Sequence, residues 1–130
     1  MTNKEFVRNF LQQEGYKFEE TTNGFRFKAQ GLNLVCEATE RDPMFIRIVA
    51  PVIFSMSDSP EVSREQVLSA CNKLVEQFKC LKVYLDGDGD VMLAVELFIY
   101  QDSNDLSAIL ERSVTILGQG RLNFSNELNA

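Results

Sequence analysis

The side chains best equipped for chemistry in this sequence are the run Asp86-Gly87-Asp88-Gly89-Asp90 and three cysteines, Cys36, Cys71 and Cys80. Alternating carboxylates can converge on a hard cation such as calcium when intervening glycines let the loop close. An EF-hand loop also needs a glycine after its third acidic position and a bidentate glutamate at its twelfth, and this chain has Val91 and Leu97 there. The run therefore reads as an acidic hairpin turn. Cys36 lies in an alternating segment and Cys71 on an apolar helical stripe, where a free cysteine behaves as a small buried hydrophobe. Cys80, between Lys79 and Lys82, is the cysteine best placed to react, against the plainer reading of a surface thiol among exposed lysines. The three cysteines show no CxxC spacing for zinc. The carboxylate pairs Glu19-Glu20 and Glu37 with Glu40 are assigned to solvated faces, because an acidic chain contains such pairs by chance. Gly118-Gln119-Gly120 follows a helical run instead of opening a helix after a strand, so it does not cradle phosphate.

The chain of 130 residues contains no histidine. That removes the usual general base, the Ser-His and Cys-His pairs and the commonest zinc ligand. The expectation is a non-enzymatic protein with no cofactor and no metal. A net charge of -6 repels phosphate backbones and anionic lipid surfaces, and no Lys/Arg-rich run offers an exception. Nucleic acid and membrane are thus not expected as partners. No apolar run approaches the ~18 residues of a membrane span, and the first residues, MTNKEFVRNF, lack the apolar core of a secretory signal. With three unpaired thiols, this reads as a cytoplasmic protein of one domain, residues 1–130.

The elements follow from periodicity. Thr2 with Glu5 has capping-box spacing, and Phe6, Val7, Phe10 and Leu11 recur on one face of a helix over about residues 3–14, which Gly15 stops. Phe25, Phe27 and Ala29, then Leu32, Leu34, Cys36 and Ala38, alternate around Gln30-Gly31 as a hairpin. Upstream, Tyr16, Phe18 and Glu20 alternate before Asn23-Gly24, a weaker signal for an extra edge strand. Arg41-Asp42-Pro43 breaks the pattern before a third strand, MFIRIVAPVIF, whose pairing should end or distort near Pro51. Ser63 with Gln66 caps a second helix carrying Val67, Leu68, Cys71, Leu74, Val75 and Phe78 to about residue 79. Leu81, Val83 and Leu85 lead into the acidic turn, and VMLAVELFIY leads out. Ser103 or Asn104 then caps a last helix with Leu106, Ile109, Leu110, Val114 and Leu117 inward. Gly118 and Gly120 weaken its continuation toward Phe124 and Leu128 and suggest a kink or an early end. The expected fold class is α+β, a mainly antiparallel five-stranded sheet with the order α-β-β-β-α-β-β-α.

Two strands carry more apolar residues than one buried face requires. Val91, Leu93, Val95, Leu97 and Ile99 share one face of the last strand, while Met92, Ala94, Phe98 and Tyr100 share the other. On the third strand Ile46, Ile48 and Ala50 oppose Phe45 and Val49, with Arg47 interrupting. A sheet solvated on one side alternates apolar with polar, so something must cover the second face. Either the second helix covers it, or Phe45, Val49, Met92, Phe98 and Tyr100 form a surface for a protein partner, a second copy or a client. The alternative function is a small-ligand-binding or regulatory domain with a pocket between sheet and helix.

Read in order, Glu14-Gly15-Tyr16 at the end of the first helix, the aromatic hairpin, Asp42-Pro43-Met44-Phe45, Ala70-Cys71-Asn72-Lys73-Leu74, and Val83-Tyr84-Leu85-Asp86 with Glu96-Leu97-Phe98 resemble the YbjN family over nearly the whole chain. That family is similar in fold to the small class I chaperones of bacterial type III secretion. One turn after Asn72 the chain departs from the family pattern, with Val75 where a second asparagine is expected. The resemblance implies a bacterial cytoplasmic protein, a homodimer, and a binding or chaperone-like role without catalysis.

Overall fold

The computed structural model describes residues 2–100 and 105–130. Helix α1, Asn3–Gln13, begins with the capping box that its sequence specifies: the Glu5 amide donates to Thr2 Oγ1, and the Thr2 amide donates to Glu5 Oε2. Gly15, at φ +75°, turns the chain into strand β1, Phe18–Thr21. Strands β2, Gly24–Ala29, and β3, Leu32–Glu37, follow. Gln30 and Gly31 both take positive φ in the turn between them, as a two-residue hairpin requires. The sheet therefore has six strands, not the expected five, and the element order is α-β-β-β-β-α-β-β-α. The weak alternation around Phe18 forms a full strand because Phe18 to Thr21 pair with Phe27 to Gly24 and Phe18 packs edge-on against Phe25. The turn is centred one residue earlier than Asn23-Gly24, and Gly24 opens β2. A Cβ at Gly24 would lie 1.8 Å from the Cys36 carbonyl oxygen, so only glycine fits.

Strand β4, Phe45–Ser55, is paired to Ala50, loses register, and resumes at Phe54 opposite Val91. The interruption holds Pro51, which cannot donate to the ladder, and Val52 at φ +51°. Helix α2, Arg64–Gln77, carries the second capping box, Ser63 with Gln66. Strands β5, Leu81–Leu85, and β6, Asp90–Phe98, flank the acidic turn. Helix α3 runs unbroken from Leu106 to Leu128, past both glycines. Its expected caps, Ser103 and Asn104, lie outside the described residues.

All strand pairs are antiparallel, in the spatial order β1-β2-β3-β4-β6-β5. One buried cluster joins Phe25, Leu34, Ile48 and Leu93 of the sheet with Leu11 of α1, Leu74 of α2 and Leu117 of α3. The buried side chains of all three helices thus meet one face of the sheet. Helix α2, which packs against β5 and α3, buries Val67, Ala70, Cys71 and Leu74 and leaves the expected Leu68 and Val75 exposed. Among the described residues no helix is long and apolar enough to cross a membrane.

Candidate functional site

The opposite face of the sheet is open, and the strand register builds it row by row. At one end Phe45 pairs with Phe98, their ring centroids 6.0 Å apart and nearly edge-to-face. Phe98 is 78% exposed and Tyr100, two residues on, 64%. The next row is ionic, with Arg47 between Glu37 of β3 and Glu96 of β6. Its guanidinium lies 3.2 Å from Glu37 Oε1 and 3.5 Å from Glu96 Oε2, and Lys82 reaches Glu96 Oε1 at 3.3 Å. Arg47 also donates to the Tyr84 hydroxyl at 2.9 Å. Beyond it Val35, Val49 and Ala94 align across three strands, and Met92 opposite Tyr84 accepts the Val52 amide on its sulfur at 3.2 Å.

Of the five residues expected to form the surface, the structure joins Phe45 to Phe98 and leaves Tyr100 exposed past the strand end. Val49 and Met92 lie across the ionic row from that aromatic pair, and Val49 and Ala94 are buried yet stand outside the main cluster. Arg47 had registered in the sequence only as an interruption. Its partners come from β3, β5 and β6, a coincidence that alternation within one strand cannot reveal.

The thiols of the core are poorly suited to nucleophilic work. Burial, with the neighbouring Glu37 charge adding to it, pushes Cys36 up to about 12, and burial pushes Cys71 up to about 11. Cys80 is exposed in the tight link between α2 and β5, at φ +63°. In the acidic turn the ligand atoms of Asp86, Asp88 and Asp90 gather within 4.8 Å of one another. Asp86 Oδ1 already accepts the amides of Asp88 and Asp90, both at 2.9 Å, so the first carboxylate is engaged in shaping the hairpin.

Concavities among the described residues bear on ligand binding, one of them of about 380 Å³ beside Tyr100, lined also by Pro43, Met44 and Ile99. Another, of about 220 Å³, lies where Leu97 meets Ile109, Ser113 and Ile116 of α3, with Lys79, Cys80 and Arg112 at its rim. A wider groove of about 670 Å³ lies at the β1–β3 end of the sheet, between the chain entering β1 and Pro51 of β4.

Neither the family models nor the curated proteins contain a match to this chain. Among solved structures it is similar to YbjN from E. coli, described as a candidate transcription regulator, with a TM-score of 0.68 at 14% identity over 94% of this chain and 90% of that one. It is also similar to an uncharacterized protein from Methanothermobacter thermautotrophicus, with a TM-score of 0.66 at 15% identity over 97% of this chain and 96% of that one. The chain has a YbjN-like fold.

Proposed function

We propose that this protein is a non-enzymatic, chaperone-like protein-binding module whose open sheet face receives a protein partner, a second copy or a client. The observation that carries this reading is the Phe45–Phe98 pair, with Phe98 largely solvent-exposed on a face that, among the described residues, no helix packs against. A large exposed aromatic ring is the kind of anchor that contributes most when an interface dehydrates it. The ionic row beside it supplies a polar rim that would fix orientation. A secretion-chaperone-like use of the fold fits this arrangement, as does a cytoplasmic setting for the three free thiols. A regulatory role, which the description of the E. coli relative suggests for that protein, is compatible with partner binding by the same face. A ligand pocket between sheet and helix is the weaker reading, because the 220 Å³ space beside α3 falls below the ~300–1,000 Å³ of most small-molecule sites.

The test is Phe98→Glu. A charge at so exposed a ring should leave circular dichroism and melting unchanged while weakening association, because the interface would then bury an unpaired carboxylate. Light scattering over a concentration series reads self-association, and affinity capture compared between wild type and variant reads clients. Identical oligomeric state and identical captured proteins for the two would defeat the reading.

A further inference from the structure

We infer that the groove at the β1–β3 end of the open face binds an acidic, extended segment of a protein. This rests on the reading that the open face receives protein and adds a second subsite with a stated charge preference. The groove is lined by Lys17, Arg26 and Lys28 against a single carboxylate, Glu19, so it carries a local charge of +2 (three cations less one anion) in a chain of net charge -6. Among the described residues none of these three cations has an ion-pair partner within 4.0 Å. On the same face, by contrast, Arg47 and Lys82 are each matched to Glu37 or Glu96. Arg26 stands opposite Glu19 in the β1–β2 register, and the excess positive charge that remains once this carboxylate is counted is left for something outside the chain.

The form of the site selects an extended peptide over a compact anion. Arg26 and Lys28 are alternate residues of β2 and project from the same side of the sheet, roughly 7 Å apart along the strand. Acidic residues at alternate positions of an extended peptide repeat at that same interval, roughly 7 Å. A compact anion would instead need cations converging on one point, and both Arg26 and Lys28 are exposed on an open surface. Strand β1 begins at Phe18, opposite Phe27, so Lys28 and Ala29 have no strand partner on that side and the groove stays open at its mouth. Val35 and Pro51 line its far side and offer contact for an apolar residue following the acidic pair. Nucleic acid fits less well, since the acidic remainder of the chain repels a long phosphate backbone.

The experiment uses fluorescence anisotropy with a fluorescein-labelled peptide, Ser-Glu-Ser-Glu-Ser-Leu-Ser-Leu, on the full chain. Saturable binding is expected, weakened at least tenfold by Arg26→Glu with Lys28→Glu, weakened less by the Gln versions, reduced by added salt, and unchanged by Phe98→Glu. The exposed positions of Arg26 and Lys28 predict unaltered circular dichroism in these variants. No binding, equal binding of the lysine counterpart of the peptide, or affinity that survives the double charge reversal would overturn the inference. Displacement by tripolyphosphate at matched charge concentration would also overturn it, in favour of a small anion. Peptide affinity that depends on Arg26 and Lys28 upholds this subsite even where Phe98→Glu shows that the aromatic end receives no partner.

Discussion

Asn3 shows how much one side chain can organise. It is fully buried at the start of α1, and its Nδ2 lies 3.1, 3.3 and 3.2 Å from the carbonyl oxygens of Thr39, Asp42 and Phe45. It thereby ties the β3–β4 link to α1 and fixes the entry of the strand that carries Phe45. Asn3→Ala should destabilise the fold by about 1–3 kcal/mol, the cost of leaving buried acceptors without a donor, as read from urea denaturation midpoints. Cys36 makes a pH prediction. Its thiol is held protonated by burial up to about 12, well above where it would ionise in the unfolded chain. Between those two values the unfolded state binds fewer protons than the native state, so stability falls as pH rises. Cys71, raised to about 11 by burial, acts in the same direction. Urea midpoints measured from pH 8 to 11 should decline more steeply for wild type than for Cys36→Ala, and parallel curves would show that this thiol is not responsible.

At the scale of elements, α3 is the instructive case. Propensity alone favours alanine over glycine by about 1 kcal/mol in a helix interior, so Gly118 and Gly120 looked like places to kink or stop. The helix continues because other elements press against it there. A Cβ at Gly118 would lie 2.7 Å from Gln30 Cβ in the β2–β3 turn, whereas one at Gly120 would meet terminal methyls, of Leu81 at 3.0 Å and of Leu93 at 3.4 Å. Gly118→Ala should therefore destabilise by about 1–3 kcal/mol through overpacking, overriding its propensity gain. Gly120→Ala should cost less, since the far end of a leucine side chain gives way more readily than the Gln30 Cβ, which is bonded directly to the turn backbone. Thermal and urea unfolding of the two variants would check the order, and a more stable Gly118→Ala would refute the packing account.

Among the described residues, three α-helices pack on one side of six strands and none on the other, and that asymmetry creates the candidate binding surface. The charge pattern divides it into an aromatic end, a self-neutralised ionic row and a groove with unmatched cations. Because Phe98 is outside the core, its replacement by glutamate tests association separately from folding. Substituting Leu93, fully buried on the helix side of the same strand, would instead destabilise the fold itself: Leu93→Ala should cost about 2–5 kcal/mol in a urea titration.

Both capping boxes, the Gln30-Gly31 hairpin, the distortion at Pro51 and the side of the last strand apolar enough to be core are all legible in the order of residues. These are local matters of hydrogen-bond chemistry, φ preference and period, and each is decided within a few residues. That order also marked Phe45 and Phe98 as surplus apolar residues. Other features depend on register and on which elements approach one another. Packing made a strand of Phe18–Thr21 through pairing with β2, kept α3 helical across glycines whose missing side chains admit Gln30 and Leu81, and put α2 on the core face instead of over Phe98. The meeting of Arg47 with Glu37, Glu96 and Tyr84, and the absence among the described residues of an ion pair to Arg26 or Lys28, likewise exist only once the strands are aligned. Electrostatic pairing falls off within a few ångströms, and separation along the chain carries no record of it.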